Sequence, residues 1–123
     1  MLFGDDGNDE LTGGGGRDIM IGGQGADKLI GNSDDDILVA GYTTRDNRNS
    51  PNHGAFWCDV FHEWNGSGLF AQRVDNLRRK LLPEVFDDAF ADDIDFLNGS
   101  SGNDWIIFKT GEDKVTGQIE AGN

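Results

Sequence analysis

Seven aspartates recur in this chain at a spacing that single capping or surface acids do not have. Four consecutive nonapeptides, GDDGNDELT from Gly4, GGGGRDIMI from Gly13, GGQGADKLI from Gly22 and GNSDDDILV from Gly31, each start on Gly and carry Asp in sixth place. Those acids are Asp9, Asp18, Asp27 and Asp36. The rhythm returns as FADDIDFLN from Phe90, GSSGNDWII from Gly99 and FKTGEDKVT from Phe108, with Asp95, Asp104 and Asp113 in sixth place. One Asp in a turn is ordinarily an Asx-type cap. A periodic set in glycine-rich turns instead suits a hard cation, which takes carboxylate and carbonyl oxygens. Zinc is disfavoured because no Cys/His cluster has ligand spacing, and magnesium asks for tighter octahedral geometry than a carbonyl-rich turn offers.

The units resemble the RTX, or haemolysin-type, calcium-binding repeat GGxGxDxUx of parallel β-helices. The resemblance implies an all-β-dominated fold, a right-handed parallel β-roll. Each repeat in it gives a six-residue turn and a three-residue strand, two repeats make one coil, and Ca²⁺ lies between turns one coil apart. At the usual strand separation of roughly 4.8 Å, Asp9 then lies over Asp27, Asp18 over Asp36, and Asp95 over Asp113. Each pair of carboxylates repels unless an ion sits between them. Several Ca²⁺ ions are expected, held by Asp9, Asp18, Asp27, Asp36, Asp95, Asp104 and Asp113. The turn carbonyls of Gly14, Gly16, Gly23, Gly25, Asn32 and Asp34 complete shells of about 6 to 8 oxygens. Asp104 lacks a matching turn unless residues around Asp87 or Gly117 supply one.

The strands must present their eighth residues (Leu11, Met20, Leu29, Leu38, Leu97, Ile106 and Val115) inward, so the seventh and ninth point out. Ile19, Ile21, Ile37 and Val39 then make one sheet apolar on both faces, extended by Trp105 and Ile107, and that sheet needs a cover. Residues 40–86 supply the nearest one. Pro51 stands near the start of a first helix that carries Phe56, Val60, Phe61 and Trp64 and stops at Asn65-Gly66. A second runs from about Leu69 to Leu82 with Phe70, Val74, Leu77 and Leu81 on one face, Arg73, Arg78, Arg79 and Lys80 mostly elsewhere, and Pro83 at its end. The chain divides into N-terminal repeats (1–39), a loop plus helical insertion (40–86) and C-terminal repeats completing the roll (87–123), one compact domain overall. Glu63-Trp64, Arg73-Val74-Asp75-Asn76-Leu77 and Gly102-Asn103-Asp104-Trp105 also resemble a C-terminal module of bacterial RTX exoproteins.

The 123 residues carry 23 Asp+Glu against 10 Lys+Arg, a net charge of -13. Residues 1–39 hold 9 acidic and 2 basic groups, 87–123 hold 9 and 2, and the insertion 5 and 6. Such a surface disfavours nucleic acid and anionic lipid, which release counterions only to basic surfaces, and favours calcium ions as partners. No run is long enough for a membrane span. Cys58 is the one cysteine, so no internal disulfide forms, and metal takes that stabilising role. Residues 1–10 have no basic or apolar leader pattern, and the resemblance implies bacterial secretion to the extracellular space by the type I route, through an uncleaved C-terminal signal. His62 lies four residues after Cys58, with His53 nearby, but no orienting third group is visible; Cys58 among Phe, Trp and Val reads as core packing and the chain as no enzyme. Two functions remain: a calcium-dependent folding and export module of an extracellular protein, or a self-associating structural protein. In the second, an uncapped first coil and an apolar sheet face make a homo-oligomer or head-to-tail filament.

Overall fold

A computed structural model describes residues 1–44, 53–86, 94–108, 113–116 and 119–121. The short strands predicted by the nonapeptides alternate along the chain between two parallel sheets. One contains β1 (Leu2–Phe3), β3 (Ile19–Ile21), β5 (Ile37–Val39), β9 (Asp104–Ile107) and β11 (Ile119–Ala121), in that order. The other, read from its opposite edge, contains β2 (Glu10–Gly14), β4 (Lys28–Asn32), β8 (Phe96–Asn98) and β10 (Lys114–Thr116). Register follows the repeat, with Leu11 beside Leu29, Met20 beside Leu38 and Leu97 beside Val115. Met20, Leu29, Leu38, Ala40, Leu97 and Ile106 are buried together between the sheets, with Leu2, Leu11, Phe108 and Val115 at the rim. The eighth residues therefore point inward as expected.

The two repeat blocks join directly. Leu29 pairs with Leu97 and Leu38 with Ile106, 68 residues apart, where partners in β1/β3, β3/β5, β2/β4 and β8/β10 are 18 apart and those in β9/β11 are 15 apart. Fifty extra residues leave and re-enter the sheets at this seam. Loop-closure entropy rises by about 0.6 kcal/mol per doubling of length, so the seam costs about 1 kcal/mol more than an ordinary junction. A short antiparallel pair closes the neck of the excursion: β6 (Tyr42–Thr43) against β7 (Val85–Phe86), extended by the Thr44 amide donating to the Glu84 carbonyl at 2.9 Å.

Inside the excursion, α1 (His53–Trp64) buries Phe56, Trp57, Val60 and Trp64, and α2 (Phe70–Leu81) buries Arg73, Val74, Leu77 and Leu81. Both sets fall at i, i+1, i+4 and i+8, a single helical stripe. The stripes pack on Ile19, Ile21, Ile37, Val39, Trp105 and Ile107, so the apolar outer face of the five-stranded sheet is covered by the insertion. Arg78, Arg79 and Lys80 occupy the last turn of α2, where cations complement the helix dipole, and a 3-10 turn at Leu82–Glu84 containing Pro83 ends it. Pro51 lies outside the described residues. Three expectations need correction. Arg73 belongs to the buried stripe of α2, because it spans from the helix to a repeat turn. Phe61 is 40 % exposed, and Cys58 is exposed rather than packed, because both lie off the buried stripe of α1, in an open groove beside Met1 and Phe3.

Candidate metal centre

Every described repeat turn uses the same backbone device. Positive φ falls at the second and fourth residues: Asp5 and Gly7, Gly14 and Gly16, Gly23 and Gly25, Asn32 and Asp34, Ser100 and Gly102. Asn32 (φ 78°) and Asp34 (φ 74°) accept a conformation that other side-chain types adopt less readily. The first glycine answers a different demand. A Cβ on Gly13, Gly31 or Gly99 would run into Oδ2 of the Asp five residues on, Asp18, Asp36 or Asp104. Gly at this place leaves room for a carboxylate.

Those carboxylates form two ladders. The Asp9 amide donates to Asp27 Oδ1 at 2.8 Å, the Asp27 amide to Asp95 Oδ1 at 2.7 Å, and the Asp95 amide to Asp113 Oδ1 at 3.2 Å. In the second ladder the Asp18 amide donates to Asp36 Oδ1 at 2.7 Å and the Asp36 amide to Asp104 Oδ1 at 2.9 Å. The expected pairs 9/27, 18/36 and 95/113 are thus neighbours, and the ladders run on across the seam. Asp104 meets Asp36; Asp87 and Gly117 lie outside the described residues.

Oδ1 of Asp27, Asp36, Asp95, Asp104 and Asp113 is thus committed to the preceding turn of its ladder. Oδ2 of Asp9, Asp18, Asp36 and Asp104 is buried without a hydrogen-bond partner, and the same oxygen of Asp27 and Asp95 is equally shielded from solvent. Burial above all, then the carboxylates of Asp104, Asp18 and Asp34, pushes the Asp36 carboxyl up to about 8 against the lowering effect of the Asp18 amide. Burial and then Asp35 raise Asp104 to about 6, and burial raises Asp18. A buried acid in this state takes up a positive charge, as proton or cation.

Calcium fits this donor set. Among the described residues no three acidic, His or Cys side chains converge, so an ion here would combine ladder carboxylates with backbone oxygens. The turns bring such oxygens close: the Gly14 carbonyl accepts from the Ser33 amide at 3.2 Å, and the Asn32 carbonyl from the Ser101 amide at 2.9 Å and its hydroxyl at 3.0 Å. The Asp34 carbonyl lies against Gly102, and those of Asp5 and Gly7 lie against Gly23 and Gly25. Cys58, His53 and His62 share an open groove with Met1, Phe3, Gly54, Trp57 and Phe61, and no carboxylate is among these lining residues.

Asp35, the fifth residue of its repeat, is a contact that the sequence reading did not single out. Its Oδ1 accepts from the Asn103 amide at 3.0 Å, its Oδ2 pairs with Arg73 at 2.6 Å, and its carbonyl accepts from Trp64 Nε1 at 2.9 Å. Burial works to raise the Asp35 carboxyl, but the Asn103 amide and the Arg73 guanidinium outweigh it and hold it below the usual range. The signal in the sequence was the pair of motifs containing Trp64 and Arg73.

The description "RTX calcium-binding nonapeptide repeat" matches in four copies, over residues 1–29, 13–41 and 91–117, more than half of the chain. No curated protein and no solved structure gives a match.

Proposed function

The chain belongs to the RTX calcium-binding nonapeptide repeat family, and from that premise we propose that it is a calcium-binding module of an extracellular protein that becomes stable by taking up several Ca²⁺ ions. The carrying observation is the row of buried, unpartnered Oδ2 atoms on Asp9, Asp18, Asp36 and Asp104. In this reading residues 1–39 and 87–123 form one right-handed parallel β-roll interrupted by the insertion 40–86. Asp9, Asp27, Asp95 and Asp113 hold ions on one side, and Asp18, Asp36 and Asp104 on the other. Carbonyls of Gly14, Gly16, Gly23, Gly25, Asn32 and Asp34 contribute the remaining oxygens.

Bound calcium supplies positive charge where buried carboxylates would otherwise repel. The residues do the rest: Oδ1 of Asp27, Asp36, Asp95, Asp104 and Asp113 fixes the carboxylate to the preceding turn, and the first glycine makes room for it. Because the folded turns bind the ion and the unfolded chain does not, calcium stabilises the fold by mass action. The family's repeats occur in secreted bacterial proteins; export by the type I route and a role as the folding and export module fit this chemistry. No catalytic role is assigned to Cys58, His53 or His62.

Self-association is the second reading. Of its two grounds, the apolar sheet face is covered by α1 and α2, while among the described residues β1 and β2 stand as edge strands, which natural sheets normally protect. Circular dichroism in chelator and in millimolar calcium, with light scattering on the same samples, tests both. A β signal that calcium leaves unchanged removes the calcium-folding reading, and monomers in both conditions remove assembly.

A further inference from the structure

The seam is where the two ladders lose local chain continuity, and it is also where the insertion touches the turns. In the first turn the fifth residue sets the spacing to the next turn in the ladder: Asn8 Oδ1 accepts from the Ala26 amide at 2.9 Å. At the seam Asp35 Oδ1 does the same for the Asn103 amide at 3.0 Å. Asp35 has a second oxygen, and the insertion holds it. Arg73, only 2 % exposed, binds Asp35 Oδ2 through one guanidinium nitrogen, the Trp64 carbonyl at 3.1 Å through another, and the Gly68 carbonyl at 3.0 Å through Nε. Its guanidinium carbon lies 4.6 Å from the centre of the Trp64 ring. From the repeat side, Arg17 donates to the Gly66 carbonyl at 2.8 Å. The link between the two helices is therefore fastened to the turns that carry Asp18 and Asp36, and Asp35 ties the second of these to the turn that carries Asp104.

We propose that the insertion is a clamp on the seam, in which Arg73 and Asp35 act as positioning residues that hold the Asp36 and Asp104 turns at ion-accepting spacing, so that helix docking and calcium uptake there are coupled. This rests on the calcium reading above. Acting only through its charge, the Arg73 guanidinium would oppose cation binding, and Arg73→Met would strengthen calcium uptake. A positioning pair acts with the opposite sign. Coupling is reciprocal: calcium tightens helix docking by the factor by which docking tightens calcium.

The test uses the full chain, with calorimetric titration of calcium and amide hydrogen exchange across α1 and α2 in calcium and in chelator. Calcium should slow exchange in both helices by about tenfold or more in the native sequence. Asp35→Asn keeps an oxygen for the Asn103 amide and loses the charge pair. It should weaken seam calcium binding by roughly three- to tenfold and shrink helix protection in parallel. Arg73→Met should act in the same direction, and Asp59→Asn, which breaks the exposed pair with Lys80, should behave as the native sequence. Tighter or unchanged calcium binding in Arg73→Met overturns the clamp. So does helix exchange in the native chain that calcium leaves unaltered while calcium heat is still seen, a measurement that needs no variant to fold. No calcium heat in the native chain overturns the calcium reading itself, and the clamp with it.

Discussion

Asp36→Asn should stabilise the metal-free chain and destabilise the calcium-loaded one. In the metal-free fold Asp36 is fully buried, and its carboxyl is raised from 3.8 to about 8. The folded chain thus binds a proton that the unfolded chain has released between about pH 4 and 8. Metal-free stability contributed by this group is fully present below pH 4 and is lost as pH rises through that window. Keeping the acid neutral at pH 7 costs about 1.4 kcal/mol per pH unit above the unfolded value, roughly 4 kcal/mol at most. Asn carries no such penalty, but its amide nitrogen against Gly31 lacks an acceptor, which costs about 1–3 kcal/mol. The net gain in chelator is about 1–3 kcal/mol, and the pH slope flattens. In calcium the sign reverses. An ion held at a hundred times its dissociation constant contributes about 2.7 kcal/mol, and removing a charged ligand loses most of that. Urea unfolding at pH 7 and pH 5.5, with chelator and with calcium, reads all four states. Equal destabilisation with and without calcium would refute the reasoning, because it is what a turn-capping Asp predicts.

Gly31→Ala places a Cβ on Asp36 Oδ2 and 2.9 Å from the Gly99 carbonyl, so calcium-loaded stability should fall by about 2 kcal/mol or more. Gly15→Ala meets nothing nearer than Ser33 Oγ at 3.8 Å and should stay within about 0.5 kcal/mol in the same urea melts. Trp64→Ala empties the centre of the sheet–helix core and removes the stacking partner of Arg73. A loss of about 3–5 kcal/mol is expected by thermal or urea melting. Lowering the pH from 7 to 5.5 should weaken calcium uptake in calorimetry, since protons compete for Asp36 and Asp104.

The strands, their inward eighth residues and the neighbouring acids 9/27, 18/36 and 95/113 were legible because a nine-residue period fixes face and register together. The cover of the five-stranded sheet was legible for the same reason: Ile19, Ile21, Ile37 and Val39 announce an outer face that water does not tolerate. Contacts across the seam were not. Nothing local in Asp104 says that its partner lies 68 residues upstream, since the length of an excursion is invisible to periodicity. The sequence places Arg73 off the apolar face of its helix, because charged residues on an amphipathic helix usually lie there; only the position of Asp35 and the Trp64 ring makes its burial favourable. Cys58 misled in the opposite sense. Its neighbours in sequence include apolar Phe, Trp and Val, but Cys58 lies off the buried stripe of α1, in an open groove.

The central claim is that the aspartate ladders are ion sites, and the most direct measurement is anomalous scattering from crystals of the chain grown in calcium. Peaks are predicted in the turns, roughly 2.3–2.6 Å from Oδ2 of the ladder acids, on both the Asp9/Asp27 and the Asp18/Asp36/Asp104 sides. An ordered chain with no anomalous density at those oxygens would contradict the account.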